Sequence, residues 1–194
     1  MNAKSMLLGA AILALGVASA RAQSSSTINV VGTVDYVDAN SISIKSDDGG
    51  TVESFKLALN WLVLQNKTAT LADIKPNDFI ASAAMRGADG KLHSTELRIF
   101  PDAMRGVGEG QRPVNDSRDR TMTNATVIGA AVVNGSNHIK VKFEGGESEL
   151  ILDPGVPVTR IDAVDKSLVK SGVKVRLQGV RNADGASGSR ITIQ

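Results

Sequence analysis

The chain contains no cysteine, which excludes disulfides, thiolate nucleophiles, thiolate-bound zinc or iron–sulfur centres and a lipidated N-terminal cysteine. Aromatic residues amount to 3%: Trp61, Tyr36, Phe55, Phe79, Phe100 and Phe143. Readers of single-stranded nucleic acid stack bases on exposed aromatics beside a positive groove, so this composition gives them little support. The four phenylalanines are expected in the core, as is Trp61. Histidine occurs twice, as His93 and His138, too few for the three or four protein ligands of an ordinary zinc site. No cofactor is expected.

Residues 1–22 have the composition of a secretory signal. Lys4 supplies the positive start, Met6 to Val17 carry no charge, and Ala18-Ser19-Ala20-Arg21-Ala22 offers small residues for cleavage. The apolar run is short of the ~20 residues that a spanning helix needs, and no later stretch approaches that length. Cleavage after Ala22 removes two bases and no acid, which cancels the formal net charge of +2. The mature chain then has no excess of positive charge to attract a polyanion. The expected location is periplasmic or secreted, with no transmembrane segment in the mature chain.

Past the leader, the apolar period is mostly two, the period of half-buried strands. Thr27–Val34 is an apolar run, and Ile42 and Ile44 alternate with Ser41, Ser43 and Lys45. Asp47-Asp48-Gly49-Gly50 turns the chain toward Val52, Phe55 and Leu57, whose uneven alternation suggests a bulge. Residues 58–75 fit a short helix or a strand, with one helical turn at Leu71 to Ile74. Phe79 to Met85 and Leu92 to Phe100 flank the hairpin sequence Gly87-Ala88-Asp89-Gly90.

The second half repeats this order. Asn134-Gly135 is a tight-turn signal, and Ile139, Val141 and Phe143 alternate with Lys140, Lys142 and Glu144. Arg86-Gly87-Ala88-Asp89-Gly90 returns as Arg181-Asn182-Ala183-Asp184-Gly185, and Leu97-Arg98-Ile99 as Ile191-Thr192-Ile193. Gly32 is matched with Gly129. The repetition predicts an all-β chain of tandem small β barrels, OB-like or related, each of roughly five to six strands with short helical turns. The expected layout is a first barrel at 27–100, a Gly/Arg-rich interdomain clasp at 101–121, and a second barrel at 122–194. An open sandwich is the alternative.

The chain resembles small exported bacterial proteins of the DUF5666 type, a domain family of unknown function. The resemblance lies in Gly32-Thr33-Val34, in residues 71–78 (LADIKPND), in Asp89-Gly90-Lys91-Leu92 and in residues 105–110 (RGVGEG). Residues 122–127 (MTNATV) and 153–158 (DPGVPV) extend it over most of the mature chain. It implies compact all-β domains and carries no catalytic positions to transfer. Where the family pattern has His and Trp, this chain has Gln111 and Val114.

Candidate site residues cluster in the clasp. Arg105 and Arg112 suit a carboxylate or phosphate, or else Glu109 as an internal partner. Gly106, Gly108 and Gly110 read as structural glycines for unusual dihedrals. The segment lacks the strand–loop–helix setting of a dinucleotide site and the Lys-Ser/Thr ending of a P-loop. Asp47, Asp48, Asp89 and Asp184 lie in separate turns and suit turn formation better than a calcium loop. No Gly-x-Ser-x-Gly motif or paired carboxylates mark a hydrolase. The expected function is a non-enzymatic binding module for an envelope protein or small anionic ligand. A structural or stress-associated envelope protein is the alternative, and an enzyme of unknown reaction the third reading.

Overall fold

A computed structural model describes residues 25–114, 119–133 and 135–194. The signal segment 1–22 and Asn134 of the tight turn lie outside the described residues. Strands β1 (Ser26–Val37), β2 (Ser41–Ser46) and β3 (Val52–Ala69) are followed by a 3₁₀ turn at Leu71–Asp73. Then come β4 (Phe79–Arg86), β5 (Leu92–Phe100), a 3₁₀ turn at Asp102–Met104 and the short β6 (Gly110–Pro113). The second repeat supplies β7 (Arg120–Val133), β8 (Ser136–Phe143), β9 (Gly146–Leu152) and β10 (Val158–Val164). A 3₁₀ turn at Lys166–Leu168 leads to β11 (Lys174–Asn182) and β12 (Gly185–Ile193). The described residues are all-β, as the alternation predicts, and no helix among them is long and apolar enough to cross a membrane.

Strand pairing closes a five-stranded barrel from both ends of the chain. β1 pairs with β2, β2 with β3, β3 in parallel with β12, β12 with β11, and β11 antiparallel with β1. A second ring runs β4–β5–β9–β8–β7 and back to β4, closed by the two-residue parallel pairing of β5 with β9 at Leu92↔Leu150 and His93↔Ile151. β10 joins the two, antiparallel to β3 and parallel to β5. Residues 27–100 and 122–194 therefore do not each close on themselves, contrary to the tandem layout. Each repeat contributes its first strands to one ring and its last hairpin to the other.

The length of β3 gives the reason. Its 18 residues extend ~60 Å at ~3.3 Å per residue, beyond the edge of one small barrel. Its latter part pairs with β10 from Val63↔Val164 to Ala69↔Val158, so the chain leaves the first barrel before reaching β4. Midway, the pairing with β12 jumps from Leu57↔Gly188 to Leu62↔Arg190. In the residues so extruded, Leu59 is 93% exposed and Trp61 turns inward at 7%. Residues 58–75 thus contain a bulged strand and a single 3₁₀ turn, which blurred the sequence pattern there.

The repeats superimpose in hydrogen-bond register. The Gly172 amide donates to the Val34 carbonyl and the Val34 amide to that of Val173; in the other ring Asn77 donates to Val127, and Val127 to Asp78. Gly172 has φ 85° and Asn77 φ 71°, a left-handed conformation that Gly and Asn tolerate best. Bulges fall after Val34 and Val127, and after Ala83 and Gln178. This register aligns Val34 with Val127, so Gly32 corresponds to Ala125 and not to Gly129. A Cβ on Gly32 would lie 2.2 Å from the Lys45 carbonyl oxygen, an approach of backbones that only glycine allows.

Each ring holds its own core. Val34, Ile42, Ile44, Phe55, Trp61 and Val63 meet Val175, Leu177 and Ile191 of the C-terminal hairpin in the first. Ile80, Leu97 and Ile99 meet Ala125, Val127, Ile139, Val141 and Leu150 in the second. Phe79 is fully buried, while Phe100 and Phe143 are half-buried against clusters. A third cluster, Leu64, Met104 and Ile161 with Leu62 and Phe100, lies between the rings. It sets the floor of the site described next.

Candidate functional site

The middle segment is built into the fold. Met104 is buried between the rings, and β6 pairs with β7 from Gly110↔Asn124 to Pro113↔Thr121. Gly106, Gly108 and Gly110 adopt φ of 80°, 59° and 125°, the unusual dihedrals expected of them. The three charged residues take separate partners. Arg105 bonds Asp102 at 2.7 Å, Arg112 donates to the Gly108 carbonyl at 2.7 Å, and Glu109 accepts the Glu144 amide at 3.2 Å. The anticipated Arg–Glu pairing is replaced by these contacts. Gln111 donates to Thr123 and Ser148 hydroxyls at 3.0 Å each.

A concavity lies elsewhere. A cleft of about 480 Å³ opens between the rings over the third hydrophobic cluster. Alternation along β11 and β12 explains its chemistry. Val175, Leu177 and Ile191 point into the first barrel, which turns Arg176, Gln178, Arg190 and Thr192 outward. All four line the cleft. Arg98 and Phe100, on the outer face of β5, form the opposite bank, and no acidic side chain is among the lining residues. Arg98 bonds Glu96 at 3.1 Å, and Arg176 approaches the Asn29 side chain only at 3.5 Å. A carboxylate or phosphate entering this cleft would meet three guanidinium groups beside an apolar floor, the donor set that best binds planar or tetrahedral anions.

The duplicated hairpin provides an internal control. Ala81 pairs with Arg98 and Ala83 with Glu96 on β4–β5, while Arg176 pairs with Thr192 and Gln178 with Arg190 on β11–β12. Since bulges follow both Ala83 and Gln178, Arg176 occupies the position of Ala81, and Arg190 that of Glu96. The backbone accepts alanine and glutamate at these positions. Arginine there is not required by the hairpin.

Arg98 and Phe100 also border a smaller hollow of about 170 Å³, shared with Ala81, Glu96, Arg112, Met122 and Asn124. There Arg112 of the Gly/Arg-rich segment meets Arg98 and its partner Glu96.

The histidines sit away from these linings. His93 Nδ1 lies 2.8 Å from Asp153 and Nε2 3.3 Å from Asp89. The Asp153 contact, followed by that of Asp89, raises the imidazole above its usual pKa. The carboxylates approach opposite ring nitrogens and do not converge on one point. His138 faces Glu149 at 3.4 Å. No group of three or more potential metal ligands was found among the described residues. Asp89 accepts the Lys91 amide, a local turn bond and the chief cause of its lowered pKa. Asp47 pairs with Lys174.

No protein-family model, curated protein or solved structure matches this chain.

Proposed function

We propose that the protein is an exported, non-enzymatic binding module whose ligand is a small anion held between the two rings by Arg98, Arg176 and Arg190. The observation that carries this reading is the cleft itself: about 480 Å³, with three arginines and no acidic side chain among its lining residues, two of those arginines being replaced by Ala81 and Glu96 in the twin hairpin. The volume lies within the ~300–1,000 Å³ typical of small-molecule sites. The lining offers donors and apolar surface, with guanidinium groups that stay protonated, so its chemistry is recognition by charge-assisted hydrogen bonds. The composition of residues 1–22 supports an extracytoplasmic setting, and the resemblance to the DUF5666 type is compatible with it. The five-strand rings support an OB-like reading, although each is completed by the other repeat's hairpin. Arg105, Glu109 and Arg112, with their local partners, fit a structural clasp, and Arg112 adds a rim charge to the adjoining hollow.

Calorimetric titration with inorganic phosphate and with citrate at low salt tests this proposal. Binding should weaken at least tenfold in Arg176→Ala/Arg190→Ala and with rising ionic strength. Equal affinity in the variant, or no binding by the native protein, overturns it.

A further inference from the structure

We infer that the smaller hollow is a hydroxyl-recognising extension of the anion cleft, so that the ligand class is a small polyol phosphate. This inference rests on the anion-cleft reading above and adds a second contact to it. Asn124 on β7 is 7% exposed and lines the hollow together with Glu96, Arg98, Phe100 and Arg112. Its Nδ2 donates to the Val107 carbonyl at 2.9 Å, while its Oδ1 is buried without a hydrogen-bond partner. Flipping the amide would face Oδ1 against that carbonyl, so the orientation is fixed by its neighbour. Buried amide oxygens are rarely left unpaired, because desolvation is then uncompensated. The missing partner is a donor.

Arg98 and Phe100 line both concavities, so a ligand anchored on Arg98 lies at the border of the two. Its anionic end takes the guanidinium groups of Arg98, Arg176 and Arg190. Phosphate suits three such donors, since it presents three acceptor oxygens and nearly two negative charges near neutral pH. Its other end must bring a hydroxyl to Asn124. A shielded acceptor of this kind discriminates strongly against a ligand lacking the donor, because the acceptor then stays unpaired.

Glycerol 3-phosphate and n-propyl phosphate are a matched pair of probes, equal in charge and chain length and differing by two hydroxyls. The purified protein should bind glycerol 3-phosphate about tenfold more tightly. In Asn124→Leu the difference should vanish while affinity for propyl phosphate is kept. Should that variant fail to fold, the native protein's Asn124 side-chain amide resonances provide the readout. They should shift on saturation with glycerol 3-phosphate and stay in place with propyl phosphate. Equal affinity of the two probes, still dependent on Arg176 and Arg190, overturns the hydroxyl contact and leaves the anion cleft standing. Binding of neither probe, or binding that survives loss of both arginines, overturns the cleft reading as well.

Discussion

Arg190 and Glu96 stand at one position of a duplicated hairpin, each opposite the residue that precedes a bulge, Gln178 and Ala83 respectively. The same outer face thus carries a positive charge in one copy and a negative charge in the other. The difference points to what the face meets. Because the twin positions hold Ala81 and Glu96, Arg176→Ala/Arg190→Glu should unfold within about 0.5 kcal/mol of the native protein. A denaturant titration checks this. A larger loss would mean that the arginines hold the rings together.

The interleaved cores predict where damage from the C-terminal hairpin spreads. Leu177 is fully buried with Val34, Ile42 and Ile44. Leu177→Ala should cost about 2–5 kcal/mol and perturb the methyl resonances of Val34 and Ile44 more than those of Ile139 and Val141. Perturbation confined to the second ring would contradict the assignment of β11 to the first.

Glycine is needed at Gly32 for proximity and at Gly172 for conformation. Gly32→Ala forces a Cβ against the Lys45 carbonyl and should destabilise by ~1–3 kcal/mol. At Gly172, with open space around the Cβ position, alanine should cost only the ~1 kcal/mol of its left-handed backbone. Thermal melts of the two variants should rank in that order.

Protonation of His93 should tighten the closure of the second ring, since His93 pairs with Ile151 at its two-residue seam. Its pKa is raised first by Asp153 and then by Asp89. The resulting stabilisation is fully present below the unfolded value, ~6.5, and is lost as pH rises through the higher folded value. Asp89 works in the other direction, its lowered pKa favouring the fold above ~pH 4 and losing that contribution on acidification. The melting temperature should therefore fall as pH rises above ~6.5, and less so in His93→Asn. The change should be small, because the His93 side chain is 32% exposed and water screens the pair.

Much of the fold was legible because turns and alternation are local. Gly87-Ala88-Asp89-Gly90 and its counterpart near Asp184 marked the hairpins, and Ile42 and Ile44 marked a barrel face. The exchange of hairpins was not legible. β4–β5 and β11–β12 share alternation and turn chemistry, so either suits either ring, and the choice is made by the reach of β3. Matching Gly32 to Gly129 failed because the two glycines flank equivalent bulges from opposite sides, Gly32 two residues before Val34 and Gly129 two residues after Val127. The cleft was missed because Arg176 and Arg190, alternating with apolar neighbours, look like an ordinary solvated face. The signal lay in comparing them with Ala81 and Glu96, which lie just outside the matched segments 86–90 with 181–185 and 97–99 with 191–193. The glycines of residues 105–110 drew attention instead, and they serve local geometry.

The pairing of the chain's first strand with its last hairpin can be tested by crosslinking, since the chain has no cysteine to interfere. Thr27 and Val180 face each other across β1 and β11, and Val180 is 45% exposed. Cross-strand Cα separations of ~4.5–5.5 Å fall within disulfide reach. In Thr27→Cys/Val180→Cys, mild oxidation should give a monomer of increased gel mobility and the two-hydrogen mass loss of an internal bridge. Free thiols in the folded monomer, or a crosslink only between two chains, would contradict the interleaved barrels.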